Sequence, residues 1–353
     1  MTDEVISPLH QTNTAKWGTR IKSRIYTLAN MLYNVSKQIT LILILFVISF
    51  HSQAQDKDSV KPFLPEIISQ FPNVRDVAVS PAGNEICFSA QSYLGELSSI
   101  VYINYANNKW SKPQIAKFSG KFNDLEPFFS PDGLKLYFAS NRPLDKTTND
   151  TKDYDIWYVT RKDWKSEWSE PINIGAPVNT KDDEFYPSVA VNGNLYFTST
   201  GHQSKGKDDI FLSKNINNVY QQPESLSDSV NSAGYEFNAF VAPDESYLVY
   251  TCYNRKEGSG SGDLYIAYKK QNGEWTTAVN MGKEINSVQM DYCPLVNTKT
   301  GVLYFTSRRT SVDPKFDSKQ NINAFLEEAN KYSNGQSRLY TVNINKWLKK
   351  NLK

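Results

Sequence analysis

The chain of 353 residues is poor in the groups that carry most protein chemistry. Its three cysteines, Cys87, Cys252 and Cys293, are far apart, which argues against a paired-cysteine metal site. An odd number, each inside a strand-like run, reads as buried free thiols, with a Cys252–Cys293 disulfide as the alternative. Of three histidines only His202 lies beyond residue 54. A histidine-based zinc centre or a Ser-His-Asp triad would have to be built on that residue, which sits in a polar loop between Gly201 and Lys205 and reads as surface. Neither sign of charge is in surplus: residues 55–353 hold 34 Lys and Arg against 35 Asp and Glu. No basic stripe points to nucleic acid. Long apolar runs are absent too. The longest, Ile39–Phe50, is twelve residues interrupted by Thr40 and Ser49, too short for a comfortable membrane span.

That run suits the core of a signal peptide, with Lys37 before it and the small residues of Ser52-Gln53-Ala54 after it. The expected organisation is an N-terminal extension and signal peptide over 1–54, starting at Met31 and cleaved after Ala54. Residues 55–72 form a leader, and the folded body spans 73–353. The mature chain is then periplasmic or secreted, with no stable membrane span. The alternative is a membrane anchor through an uncleaved segment 39–50, with Lys16, Arg20, Lys22 and Arg24 on the inner side.

What the chain has in plenty is repetition. Trp168, Asn179 and Glu184 recur as Tyr220, Asn231, Glu236 and as Trp275, Asn286, Asp291, with the same spacing of eleven and then five. Trp110 and Asp124 form a looser, shorter copy. Self-similarity at 50 to 60 residues marks a repeat architecture. Each acid opens a strand-like run that ends in a turn and is answered by a second run. Phe128-Phe129, Ser130-Pro131-Asp132-Gly133 and Leu136-Tyr137-Phe138 are one example; Ser188-Val189, Asn192-Gly193 and Leu195-Tyr196-Phe197 are another. Pro presets φ and Gly or Asn accepts the positive φ of a tight hairpin turn.

A third strand follows in each unit, at Ile100–Ile103, Ile156–Val159, Ile210–Leu212, Leu264–Ala267 and Leu339–Val342. The repeated Trp or Tyr is expected to begin a fourth, outer strand, as in Trp110-Ser111-Lys112-Pro113, where proline is tolerated at an edge. Four short antiparallel strands per unit define an all-β fold, a β-propeller of five four-stranded blades, with six as the alternative. The last unit lacks an outer strand, and Phe63–Ile68 is expected to supply it and close the ring.

These units resemble the WD-like propeller repeat of the TolB type. Ser130-Pro131-Asp132-Gly133, Leu136 to Arg142, Asp155-Ile156-Trp157, Asp209-Ile210-Phe211 and the stretch from Trp168 to Glu184 carry the resemblance, over residues 70–345. It is similar to envelope proteins of Gram-negative bacteria in which such repeats precede an OmpA-like domain. The resemblance implies export and a protein partner in the cell envelope, and it names no catalytic residue. No OmpA-like segment is present in the sequence, so peptidoglycan anchoring is not carried over.

Asp124, Glu184, Glu236 and Asp291 fall at one place in each blade and are expected at the mouth of the central channel. Clustered carboxylates there would bind a cation or supply an acid/base pair. A residue present in every repeat is more often scaffold, and the four acids are read chiefly as structural, as are the repeated asparagines. No catalytic residue, metal ligand or cofactor is assigned; calcium is the one ion considered. Gly258-Ser259-Gly260-Ser261-Gly262 lacks the Lys and the helix of a phosphate loop and reads as a flexible hairpin connection. One element breaks the repeat, an insertion over 308–338 in the last unit. Ile322–Tyr332 has helical spacing, with Phe325, Leu326 and Tyr332 on its apolar stripe as candidate partner contacts. The expected function is an exported, non-enzymatic protein-interaction module. A glycan-binding or glycan-degrading propeller and a calcium-stabilised structural propeller are the alternatives.

Overall fold

The computed structural model describes residues 59–348, Lys146 and His202 excepted. The expectations for residues 1–54, and for His202, lie outside the described residues.

Five antiparallel sheets follow one another along the chain as the blades of a propeller. From the innermost strand outward, blade 1 is Asn73–Val79, Glu85–Gln91, Ser98–Ala106 and Gln114–Ile115. Blade 2 is Asp124–Phe129, Lys135–Ser140, Asp155–Thr160 and Ile172–Asn173. Blade 3 is Glu184–Val189, Leu195–Ser199, Asp209–Ser213 and Glu224–Ser225. Blade 4 is Glu236–Val241, Tyr247–Tyr253, Gly262–Tyr268 and Val279–Asn280. Blade 5 is Asp291–Asn297, Val302–Ser307 and Arg338–Asn343, and its outer strand comes from the other end of the chain, Lys61–Pro62.

The ring therefore closes through the N-terminal segment, but a few residues earlier than expected. Lys61 pairs with Thr341 and Pro62 with Tyr340, and the Phe63 N–H donates to Leu339 O at 2.9 Å. Pro65–Ile68 is a single helical turn, with proline at its start, where a missing N–H costs nothing. It drives Ile68 into the core with no exposed surface.

The outer strands also begin later than the repeated aromatic. Trp110 pairs back with Tyr105 of its blade's third strand, and Tyr220 and Trp275 pair with Asn215 and Lys269, just beyond the ends of theirs. Pro113, Pro171 and Pro223 follow, cannot donate to that ladder, and release the chain to the blade edge. Large side chains fill the space between blades: Tyr196, Tyr250, Tyr265, Phe88, Phe138, Phe197 and Phe305 are fully buried. Cys87, Cys252 and Cys293 are buried and unpaired.

The repeated asparagines do more than turn the chain. Asn231 Oδ1 accepts from Ile210 N at 3.0 Å and its Nδ2 donates to Ile210 O at 2.8 Å. Asn179 grips Ile156, and Asn286 grips Leu264, in the same way. Each side chain thus stands in for a strand neighbour beside the short outer strand. The Gly258–Gly262 loop is packed rather than loose: Ser259 N and Gly260 N donate to the Asp263 carboxylate, and a Cβ on Gly260 would lie 1.9 Å from Gln289 O.

The insertion of blade 5 carries the helix Ile322–Ala329, shorter than the helical spacing suggested, capped by Asn321 accepting from Ala324 N at 2.9 Å. None of its residues is buried. No helix among the described residues is long and apolar enough to cross a membrane.

Candidate functional site

Every innermost strand is interrupted at the same point. Its register shifts between Arg75 and Val77, Leu125 and Phe128, Phe185 and Ser188, Phe237 and Phe240, and Tyr292 and Leu295. At each bulge one non-glycine residue takes a left-handed conformation: Asp76 (φ 55°), Glu126 (60°), Tyr186 (50°), Asn238 (54°) and Cys293 (53°). That conformation costs about 1–2 kcal/mol for a residue with a Cβ. Five in a ring persist only where the surroundings over-determine them.

The surroundings are the neighbouring blades. The Asp76 N–H donates to Thr306 Oγ1 at 3.2 Å, the Glu126 N–H to Ser89 Oγ at 3.0 Å and the Asn238 N–H to Thr198 Oγ1 at 3.0 Å. Blade 2 has Ala139 at the equivalent place and offers no hydroxyl. There the Tyr186 N–H donates instead to the Glu126 carboxylate, Oε2, at 2.7 Å.

The bulge side chains converge on the axis. Arg75 donates through Nε to Asp76 Oδ1 and through Nη2 to Glu126 Oε1, both at 2.8 Å. Asn238 Nδ2 donates to Glu126 Oε1 at 3.2 Å, and the Cys293 thiol faces Asn238 Oδ1 at 3.4 Å. Tyr186 Oη donates to Pro294 O at 2.9 Å. The Arg75 guanidinium also lies 5.3 Å from the centre of the Tyr292 ring. Burial pushes the Glu126 carboxyl up to about 7, against the pull of Arg75. Burial likewise raises the Cys293 thiol well above its ordinary range, so it is no thiolate nucleophile.

This network floors a cavity of about 200 Å³ at one end of the axis, rimmed by Leu125, Phe185, Phe237 and Tyr292 with Asp208 beside them. At the other end a cavity of about 300 Å³ is lined by Val79, Phe128, Val189, Phe240 and Leu295 together with Ser80, Ser130, Asn297 and Lys299.

The repeat-defining acids are elsewhere. Asp124, Glu184, Glu236 and Asp291 are the first residues of their innermost strands, are 0–1% exposed, and line neither axial cavity. The channel-mouth ring is not formed, because each carboxylate is taken up by its own blade. Asp124 accepts from Ser119 Oγ, Ser140 Oγ and Arg142 Nη2. Glu236 accepts from Ser232 and Arg255, and Asp291 from Ser287 and Arg309. Glu184 accepts from Thr180 N and Thr180 Oγ1, at 3.0 and 2.6 Å, and among the described residues it has no cationic partner. Burial pushes its carboxyl up to about 7.

Of the insertion residues, Phe325 and Leu326 are 54% and 46% exposed, with Ile322 beside them at 66%. Tyr332 is not with them. Its hydroxyl donates to Leu339 O at 2.6 Å and to Phe63 O at 3.2 Å, and its ring meets Tyr340 edge-on, so it pins the insertion to the blade.

Reading by repetition picked out the scaffold acids and missed Asp76, Glu126, Tyr186, Asn238 and Cys293. The signal that finds them is the converse one. Two residues beyond each of the four repeated acids, and at Asp76 in blade 1, the repeats stop agreeing, and five blades place five different side chains.

No family model and no curated protein matches the sequence. Among solved structures, the fold is similar to TolB from Acinetobacter baumannii, with 12% identity and a TM-score of 0.42, over 76% of this chain and 54% of that one. The chain therefore spans about half the length of that protein. It is also similar to an α-L-arabinofuranosidase from Podospora anserina, with 12% identity and a TM-score of 0.46, over 77% and 90% of the two chains. The catalytic domain of a Coprinopsis cinerea GH62 α-L-arabinofuranosidase gives 11% identity and a TM-score of 0.45, over 82% and 95%. TolB and α-L-arabinofuranosidase structures both stand among the structural neighbours, and no activity is carried over from either.

Proposed function

We propose that the protein is an exported binding propeller of the bacterial periplasm or envelope that engages a protein partner through the insertion of its last blade. The observation that carries this reading is the apolar stripe of Ile322, Phe325 and Leu326, exposed on a helix held to the blade at Tyr332. A short anchored helix with one apolar face fits a partner that offers an apolar groove. In the axial network Asp76 Oδ1 and Glu126 Oε1 each accept from Arg75, which ties both carboxylates to the inter-blade scaffold. Export is supported by the apolar run Ile39–Phe50 and the small residues after it. The test is cross-linked capture from envelope extract with wild type and with Phe325→Asp/Leu326→Asp as baits. One defined partner, lost by the variant, supports the reading; identical capture by both removes the insertion from it.

A second reading, glycan binding or degradation, is favoured by the aromatic rim over the Arg75–Glu126 floor. Sugar rings stack on aromatic faces while carboxylates and amides take their hydroxyls. Titration of oligosaccharides, with reducing-end release followed in parallel, decides it through Glu126→Gln: binding or turnover that this change abolishes establishes the glycan reading.

A further inference from the structure

Three of the four repeat acids hold an arginine of their own blade, and two of those pairs are built to one plan. Arg142 and Arg309 each stand two residues beyond a serine, Ser140 and Ser307, that receives both their backbone N–H and their Nε. Their Nη2 reaches the acid, Asp124 at 2.5 Å and Asp291 at 2.8 Å, and also a backbone carbonyl, Phe118 O at 3.0 Å and Ile285 O at 2.8 Å. Their guanidinium planes lie over a cross-strand aromatic pair. Arg142 is 5.0 and 5.4 Å from Phe138 and Trp157; Arg309 is 5.2 and 4.8 Å from Phe305 and Tyr340.

Blade 3 has every part of this plan except the arginine. Glu184 is the acid and Ser199 the serine, and Gly201 occupies the position of Arg142 and Arg309, its N–H donating to Ser199 Oγ at 3.2 Å as theirs do. Phe197 and Phe211 are the cross-strand aromatic pair, stacked with centroids 5.9 Å apart. Val178 stands where the carbonyl residues Phe118 and Ile285 stand in their blades. Glu184, Ser199, Phe197, Phe211, Val178 and Gly201 together line a cavity of about 40 Å³. That is room for a planar head-group or two or three waters, and too little for a sugar ring. The cavity opens beside Gln203 and Gln222, which are exposed.

We infer that blade 3 carries a guanidinium receptor, which the described residues do not fill and which takes an arginine side chain or a small guanidino compound. A buried carboxylate, a hydroxyl and two aromatic faces are what a guanidinium uses in the same chain twice over. An ammonium, compact and more strongly hydrated, matches neither the planar stacking nor the forked donors. The site is separate from both the insertion and the axis.

The experiment is a calorimetric and NMR titration of the purified protein with ethylguanidinium, with ethylammonium as control, using wild type, Glu184→Gln and Gly201→Arg. Saturable binding of ethylguanidinium to wild type is expected, at least tenfold weaker in Glu184→Gln and lost in Gly201→Arg. In Gly201→Arg the new guanidinium fills the receptor in cis and the melting temperature rises. Should Gly201→Arg fail to fold, the Glu184→Gln comparison decides alone. A blocked arginine tripeptide and free arginine then distinguish the sources: tighter binding of the peptide assigns the receptor to a protein partner, and equal binding assigns it to a small guanidino compound. Absence of saturable binding to wild type, or equal binding of ethylammonium, or binding that both variants retain, overturns the inference.

Discussion

The Tyr186 N–H donates to Glu126 Oε2 at 2.7 Å across the seam between blades 2 and 3, where the other seams so bonded use a serine or threonine hydroxyl. One carboxylate therefore joins two blades and holds Arg75 on the axis. Removing it leaves a buried N–H without a partner and a half-buried guanidinium with one fewer. Glu126→Ala is expected to destabilise the fold by about 2–4 kcal/mol, from the orphaned N–H and the weakened ion pair. Ala139→Ser in that background restores a hydroxyl at the seam and recovers about 1 kcal/mol. Urea denaturation of the two single variants and the double variant checks this.

The Glu126 and Glu184 carboxyls, both raised from an ordinary 4.5 to about 7, predict a pH dependence of defined sign. Between those values the folded state holds protons that the unfolded state has released, so stability falls as pH rises from about 4.5 to about 7. Glu184→Gln is expected to flatten that fall. A stability curve that rises through this window in wild type would contradict the assignment.

Asn231 is fully buried and satisfies both backbone groups of Ile210. Asn231→Ala leaves the Ile210 N–H without a partner, while the Ile210 C=O keeps its bond from Leu226 N, and a loss of about 1–3 kcal/mol is expected. Hydrogen exchange of the Ile210 amide, slow in wild type and fast in the variant, locates the loss.

Phe325 and Leu326 touch no core, so Phe325→Asp/Leu326→Asp is expected to change stability by no more than about 0.5 kcal/mol while removing the apolar stripe. Tyr332→Phe does the opposite. It keeps the stripe and loses the bonds to Leu339 O and Phe63 O, for about 1 kcal/mol. Thermal melting of both variants beside partner capture separates surface from anchor.

The repeat acids bear on the calcium alternative. Asp124, Glu236 and Asp291 are each neutralised by an arginine. A bound ion stabilises by mass action, and a chelator is expected to leave the melting temperature of this propeller unchanged. A fall of several degrees on adding chelator, reversed by calcium, would restore that alternative.

The five-bladed all-β architecture was legible in the residues because its causes are local and repeated. Ser130-Pro131-Asp132-Gly133 and Asn192-Gly193 make hairpin turns wherever they stand, and the runs beside them are short and rich in β-branched and aromatic residues. The repeated acids were legible as repeat markers for the same reason, whereas their burial within single blades, away from the channel mouth, was not. Positions set by the edge of a blade were less so: Pro113, Pro171 and Pro223 mark where the chain leaves the third strand, and only the paired backbone shows that the outer strand starts beyond them. The closing strand Lys61–Pro62 has almost no pattern of its own, being two residues long and chosen by the open edge of Arg338–Asn343.

By itself the sequence determined the turns, the short strand runs and the repeating four-stranded unit, all governed by neighbours a few residues apart. The tertiary structure alone decided which side chains meet. Arg75, Asp76, Glu126, Asn238 and Cys293 come from blades 1, 2, 4 and 5 and touch only because the closed ring turns every bulge toward one axis. Gly201 is unremarkable in its loop and acquires meaning only when blade 3 is laid beside blades 2 and 5 in space. Long-range contact is imposed by closure of the ring, and no local preference encodes it.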